Sequence, residues 1–367
     1  MTLESGLDRT IDAALADSKI VGCVIRVGQH GKTVYQRAAG YADREAKTPV
    51  KPDTIFRLAS VTKPLVAVTT LAMVDEGKLG LDDAVSDHLP YFTPKFAGRT
   101  ATIRIRHLLS HTSGLSYSYP DSEISGGLAD TDLDFETNFP RLAARDLNYE
   151  PGTAWEYSMA IDVLGAVVSK VFGGTLEQAV QHYVAGPLGM ADTAFHVTDI
   201  SRLAVPYANA PTGAIRMADN HPYTEDNGGI ISFSPARIFN KKAFQSGGAG
   251  AASTPNDIFK FLDTLRAGGA SLLKPETFQA AASNQIGEVP RDDAGQRFGF
   301  LSAVLVDPIA ANSPQSIGTL NWGGIYGHSW FIDLAKGLTV TMMSNTAPEG
   351  CNGKFTSDIR DDVYRGL

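Results

Sequence analysis

Strand-like runs lie at both ends of this chain, and helix-like runs lie between them. Val21 to Val27 is rich in β-branched residues, and Gln29-His30-Gly31-Lys32 separates it from Thr33 to Arg37, so the two read as a hairpin. Phe298 to Val306, Gly318 to Tyr326, His328 to Asp333 and Leu338 to Asn345 read as further strands, with Ala335-Lys336-Gly337 as a turn before the last. Residues 4 to 17 place Leu7, Ile11, Ala14 and Leu15 at helical spacing, and Ser357 to Tyr364 reads as a closing amphipathic helix. Between the ends, helical patterns recur at Thr62 to Glu76, Ile103 to Leu109, Met159 to Val171, Leu176 to Val184 and Pro255 to Leu265. A sheet drawn from both ends pushes the intervening chain out as an insertion. The expected fold is α+β: an antiparallel sheet with covering helices from residues 1–85 and 285–367, an inserted, largely helical and loop-rich domain over 86–284, and a groove between them.

With 367 residues, 43% of them hydrophobic, the chain can bury a large core. Its 40 acidic against 32 basic residues leave a net charge of -8, which disfavours nucleic acid as a partner. Cys23 and Cys351 are too isolated to suggest a disulfide framework or a zinc site. The opening MTLESGLDRTIDAAL lacks a basic, then apolar, leader, so a cytoplasmic location is expected. The apolar stretch Pro64 to Val74 falls short of the ~20 residues that a membrane span needs. Two long irregular segments, Tyr117 to Gly127 and residues 207 to 250, suggest binding loops.

Phe56-Arg57-Leu58-Ala59-Ser60-Val61-Thr62-Lys63-Pro64 precedes an apolar helical pattern that stops at Gly77. With Ser60 at the helix start, Lys63 lies one turn on and on the same face. Pro64 fits this register, because the first N–H groups of a helix have no intrahelical partner to lose. A serine hydroxyl is a weak nucleophile until a base takes its proton, and a desolvated lysine can be that base. Ser271-Leu272-Leu273-Lys274 has the same spacing, but it follows Gly268-Gly269, is cut by Pro275 and has no helix to hold it. The plain alternative for Ser60 is an N-cap serine with a solvated lysine.

Trp155-Glu156-Tyr157-Ser158-Met159 precedes another apolar helical segment, where Tyr157 can present its hydroxyl to a cleft. A neighbouring ammonium would lower its pKa and let it shuttle protons; a core tyrosine is the alternative. In Asn321-Trp322-Gly323-Gly324-Ile325 the paired glycines suit a strand whose backbone must be approached closely, for instance by an acyl carbonyl, or else a bulge. His328 reads as a strand residue lining the cleft, with the base of a Ser-His-Asp triad as the alternative. His107 and His111 stand four apart but lack the surroundings of a metal site, so no metal is expected. The elbow pattern Gly-x-Ser-x-Gly does not occur at Ser329, since Phe331 follows Trp330.

Taken in order, Ser60-Val61-Thr62-Lys63, Tyr157-Ser158-Met159 and Trp322-Gly323-Gly324 resemble the Ser-x-x-Lys, Tyr-x-Asn and Lys-Thr-Gly motifs of class C β-lactamases and penicillin-binding proteins. The nearer resemblance is to the family VIII carboxylesterases that share the β-lactamase fold. Leu108 to Leu115, Gly186-Pro187-Leu188-Gly189-Met190, Ser246-Gly247-Gly248-Ala249-Gly250 and Tyr326 to Trp330 extend it over nearly the whole chain. Two departures matter: Met159 stands in place of Asn, and Trp322-Gly323 in place of Lys-Thr. Both remove polar contacts for a β-lactam.

The resemblance implies a serine carboxylesterase of serine β-lactamase / DD-peptidase-like fold, acting on a small-molecule ester without a cofactor. Ser60 would be the nucleophile, Lys63 and Tyr157 its coupled proton-handling pair, and the N–H groups of Ser60 and Ile325 the oxyanion donors. Tyr117, Trp155, Met159, Trp322, Gly323, Gly324 and His328 would contact the substrate, with Trp330 as a further aromatic surface. An amidase or peptidase acting on D-amino-acid derivatives, an acyltransferase, a weak β-lactamase and a catalytically silent binding protein are the alternatives. The oligomeric state stays open.

Overall fold

A computed structural model describes residues 2–119, 123–224, 230–269 and 271–367. The chain opens with helix α1 (Leu3–Ala16), whose N-cap Thr2 accepts from the Ser5 N–H. Strands β1 (Gly22–Gln29), β2 (Lys32–Asp43) and β3 (Thr48–Pro49) follow. After the intervening chain come β4 (Gln296–Phe298), β5 (Ala303–Leu305), β6 (Leu320–Gly324), β7 (His328–Asp333) and β8 (Leu338–Ser344). They form one antiparallel sheet in the order β4-β5-β6-β7-β8-β1-β2-β3. The join is the β8–β1 ladder, which sets Cys23 opposite Ser344 and Gln29 opposite Leu338. The first hairpin turns at His30 and Gly31, both at positive φ, as a tight primed turn requires.

Side chains alternate across the sheet, as the two-residue period of a strand dictates. On one face Cys23, Ile25 and Val27 pack with Leu7 and Ile11 of α1 and with Phe355, Ile359 and Val363 of the closing helix, Lys354–Gly366. On the other face Val24, Leu320, Trp330, Ile332 and Met343 join the larger core with the helices Thr62–Asp75 and Pro255–Arg266. The helix Thr62–Asp75, α2, is buried from Thr62 to Met73, so it runs through the protein as a central rod. A second buried helix, α3 (Ala160–Phe172), lies against it.

The α+β expectation holds, and the differences are local. The run Phe298 to Val306 is not one strand: the chain turns back at Gly299, whose N–H donates to the Ser302 carbonyl at 2.9 Å. Phe300 and Leu301 are buried inside that turn, which disguises it as strand. Phe135–Ala143 is a helix that the sequence pattern hides, because Pro140 interrupts it; Asp134 caps it by accepting from the Thr137 N–H at 2.8 Å. Pro275 starts a helix, Pro275–Ala281, instead of only cutting the chain. The segment 207 to 250 carries short strand pairs such as Tyr207–Ala208 with Ile215–Arg216.

Candidate active site

Ser60 lies in the single turn Ala59–Val61 that enters α2. Ala59 has φ +45, a left-handed conformation unusual for a residue with a Cβ. Its neighbours hold it there: the Leu58 N–H donates to the Ala251 carbonyl at 2.8 Å, and β6 passes directly beneath. At Gly324 a Cβ would stand 2.2 Å from the Leu58 carbonyl oxygen. The close approach that requires glycine here is therefore made by the Ser60 segment itself.

One turn beyond Ser60, at the start of α2, Lys63 is only 4% exposed. Its Nζ is 3.2 Å from Ser60 Oγ, 3.1 Å from the Tyr117 hydroxyl and 2.8 Å from the Gly248 carbonyl oxygen. A neutral amine has two N–H groups and one lone pair, so it can donate to Tyr117 and Gly248 and still accept from Ser60. Burial pushes the Lys63 pKa down to about 7, against a weaker opposing pull from Asp162. The neutral form is thus well populated near neutral pH.

The Tyr157 hydroxyl donates to Ser60 Oγ at 2.6 Å. Burial raises its pKa, opposite to the acidification expected from a neighbouring ammonium. The phenol keeps its proton, and a donor rather than a resting phenolate faces Ser60 Oγ. Its ring lies 5.4 Å from Tyr117, 5.2 Å from Trp322 and 4.9 Å from His111. Buried His111 accepts from the Ser158 N–H at 3.3 Å, and burial with the Lys63 and Arg291 charges keeps its pKa well below the ordinary value. His107 instead accepts from the Arg104 N–H, so the two histidines share no ligand position. Among the described residues, no group of three His, Cys, Asp or Glu side chains could hold a metal ion.

Trp155 and Trp322 flank the Tyr157 side of the site, with Phe298 5.5 and 5.1 Å from their rings. The Arg291 guanidinium stacks on Trp155 at 4.3 Å. The residues expected to touch substrate divide. Tyr117, Trp155, Trp322 and Gly323 retain partial exposure, as does Ile325. Met159 does not: it is 1% exposed and belongs to the main core. Trp330, also 1% exposed, packs into that core on β7. His328 is 1% exposed, its Nε2 donates to the Arg57 carbonyl at 2.7 Å, and burial lowers its pKa to about 4. That placement favours neither a cleft wall nor a triad base, because the polar partners of Ser60 Oγ are Lys63 and Tyr157. Gly324 is covered by Leu58 and Val61.

Asp162 was not singled out from the sequence. It is fully buried on α3, accepts from the Gly248 N–H at 3.1 Å and from the Ser246 hydroxyl, and its charge acts on Lys63. A Cβ on Gly248 would stand 2.4 Å from its carboxylate, so only glycine lets this loop reach Lys63. The visible signal is one acidic residue in the apolar run Ile161-Asp162-Val163.

The β-lactamase family profile matches residues 7–362, and the chain belongs to that family. Esterase EstB of Burkholderia gladioli is 45% identical over 376 residues, spanning 99% of this chain and 95% of that protein. The solved structure of EstCE1, described as a hydrolase with promiscuous acyltransferase activity, is 40% identical, with a TM-score of 0.93 over 99% of this chain and 98% of its own. The resemblance to family VIII carboxylesterases is borne out. D-amino acid amidase from Ochrobactrum anthropi, 20% identical, shares the fold at a TM-score of 0.73 over 100% of this chain and 99% of its own.

Proposed function

We propose that this serine carboxylesterase forms its acyl-enzyme on Ser60 and acts on short-chain esters of small molecules. The observation that carries the reading is the convergence of Lys63 Nζ and the Tyr157 hydroxyl on Ser60 Oγ, at 3.2 and 2.6 Å, in a buried corner where Lys63 loses its charge near pH 7. Ser60 Oγ attacks the ester carbonyl while its proton passes to neutral Lys63. The tetrahedral oxyanion is held by the N–H groups of Ser60 and Ile325; Ile325 follows the last ladder pair, Gly324 with His328. On collapse the carbonyl–alkoxide bond breaks and Tyr157 protonates the leaving alcohol, regaining its proton from Lys63. Water then enters, gives its proton to the same pair and releases the acid, restoring Ser60.

The aromatic wall of Trp155, Trp322 and Tyr117 suits an apolar acyl or alkyl group. A β-lactam would meet no Asn, Lys or Thr at the two departures, and unmatched amide and carboxylate groups cost on the order of 1–3 kcal/mol each. Acyl transfer to an alcohol is a second reading, favoured by the promiscuous acyltransferase activity described for EstCE1; a product ester formed with added alcohol would show it. The main reading is tested by quenching turnover of p-nitrophenyl acetate or butyrate and locating the acyl adduct by peptide mass spectrometry. An adduct on Ser60, absent from Ser60→Ala, is expected. An adduct on another residue would overturn the assignment.

A further inference from the structure

Behind the loop that holds Lys63 lies a recess of about 20 Å³, lined by Arg57, Arg237, Tyr326, Ser234, Ala249 and Gly250, among others. It adjoins the candidate site on two sides. Ala249 follows Gly248, the acceptor for Lys63, and Tyr326 follows Ile325. Both arginines are poorly compensated. Arg57 donates only to backbone carbonyls, from Nε to Pro235 at 2.9 Å and from Nη1 to Ala204 at 3.0 Å. Arg237 donates to the Phe244 carbonyl at 2.8 Å and lies 5.0 Å from the centre of the Phe244 ring, while its buried Nε has no hydrogen-bond partner among the described residues. Neither guanidinium has a carboxylate within ion-pair distance among the described residues.

Enclosure pushes both guanidiniums below the ordinary arginine pKa, yet an arginine in a protein stays charged. Asp219 and Asp130, whose charges reach them through space, are exposed residues, and buried Asp162, the largest of these charges at Arg237, is already hydrogen-bonded by Ser246 and Gly248. Two half-buried cations, a free buried donor and the Tyr326 ring around one small recess leave a positive excess that water screens only in part. Charge-assisted hydrogen bonds to an anion would satisfy both the donor and the charge.

We propose that this recess binds a compact monoanion through Arg57 and Arg237, with Tyr326 as its third wall. Such an anion has two sources. It is either a free halide, or a carboxylate at the far end of a short acyl group that extends past Ile325 from Ser60. The halide source stands apart from the esterase reading; the carboxylate source rests on it.

The halide is tested directly, on wild type and on Ser60→Ala, so that its outcome does not depend on catalysis. Crystals soaked in sodium bromide should show an anomalous peak in the recess. Replacing a bulky organic anion by about 0.1 M bromide at constant ionic strength should raise the melting temperature by roughly 2 °C. Arg237→Met should abolish both effects. Tyr326→Phe, which deletes one hydroxyl, should weaken them and keeps the test readable if Arg237→Met does not fold. The carboxylate source is tested by the hydrolysis of monoethyl glutarate against ethyl pentanoate. A lower KM for the charged ester, raised by bromide and lost in Arg237→Met, would assign the recess to substrate. With no peak, no bromide-specific stabilisation and no preference for the charged ester, the recess holds only water and the proposal fails. It fails equally if these effects survive in Arg237→Met.

Discussion

The two Ser-x-x-Lys segments of this protein sit at opposite ends of one helix. Ser60 and Lys63 form the entrance of α2; Lys274 closes its exit, its Nζ donating to the Asp75 carbonyl at 2.9 Å. At the entrance Lys63 is 4% exposed, held by Tyr117, Gly248 and Ser60, and its neutral form is well populated near pH 7. At the exit Ser271 and Lys274 are exposed, and the lysine does what a cation suits at a helix C-terminus. Identical spacing thus yields the proposed nucleophile with its base in one place and a cap in the other. The surroundings decide: burial shifts the ammonium toward the amine, and Tyr117 and Gly248, taking its two N–H groups, fix where its lone pair points.

The largest expected effect is Ser60→Ala, which should reduce ester hydrolysis by at least about 10⁴-fold with the circular dichroism spectrum unchanged. Residual turnover within tenfold of wild type would erase the distinction between the two segments. Lys63→Ala and Tyr157→Phe should each cost roughly 10²–10⁴-fold in kcat/KM, with the double variant little worse than either single one. Independent, multiplicative losses would mean that the phenol and the amine do not act as one unit.

A smaller, directional effect is the pH profile. Lys63 serves as base only when neutral, so kcat/KM should rise with pH and level off above an apparent pKa of about 7. The Tyr157 phenol, a donor whose pKa burial raises, should add no alkaline limb below pH 9. A flat profile between pH 5 and 9 (both roughly two units from that pKa) would show that Lys63 is not discharged in the way its burial implies. Substrate choice comes next. Clear turnover of p-nitrophenyl acetate or butyrate is expected, with nitrocefin hydrolysed poorly or not at all; comparable kcat/KM for the two would return the protein to the lactamases.

The sheet was legible because its strands are rich in β-branched and apolar residues and its turns carry Gly or positive-φ residues, as at His30-Gly31 and Gly337. Ser60, Lys63 and Tyr157 were legible because chemistry demands those residue types at helix entrances. Gly324 was noticed for the right property, an approach that excludes a Cβ, although the approaching atom is the Leu58 carbonyl oxygen. Met159, Trp330 and His328 were placed toward substrate by motif position, and local sequence does not tell which way such residues face. Tertiary packing buried all three. Asp162 and Arg291 were missed for the same reason: the contacts that tie them to the site cross elements far apart in sequence, α3 with the 246–250 loop and Arg291 with Trp155.

The smallest expected effect belongs to the exit of α2, and it completes the comparison. Ser271→Ala should leave kcat/KM within twofold of wild type, since an exposed serine beside a solvated ammonium has no base to activate it. Lys274→Ala should leave activity equally untouched yet lower the stability by about 0.5–1 kcal/mol, because it removes the donor for the Asp75 carbonyl at the helix end. The Lys274 backbone N–H still donates to the Asp75 carboxylate at 2.7 Å, so the helix end keeps one anchor and the protein stays folded. Urea titration of both variants beside the ester assay separates the two roles. A stability loss without an activity loss at Lys274, set against an activity loss at Lys63, would show one spacing put to two uses by one helix; an activity loss at Ser271 comparable to that at Ser60 would show that burial is not what selects the nucleophile.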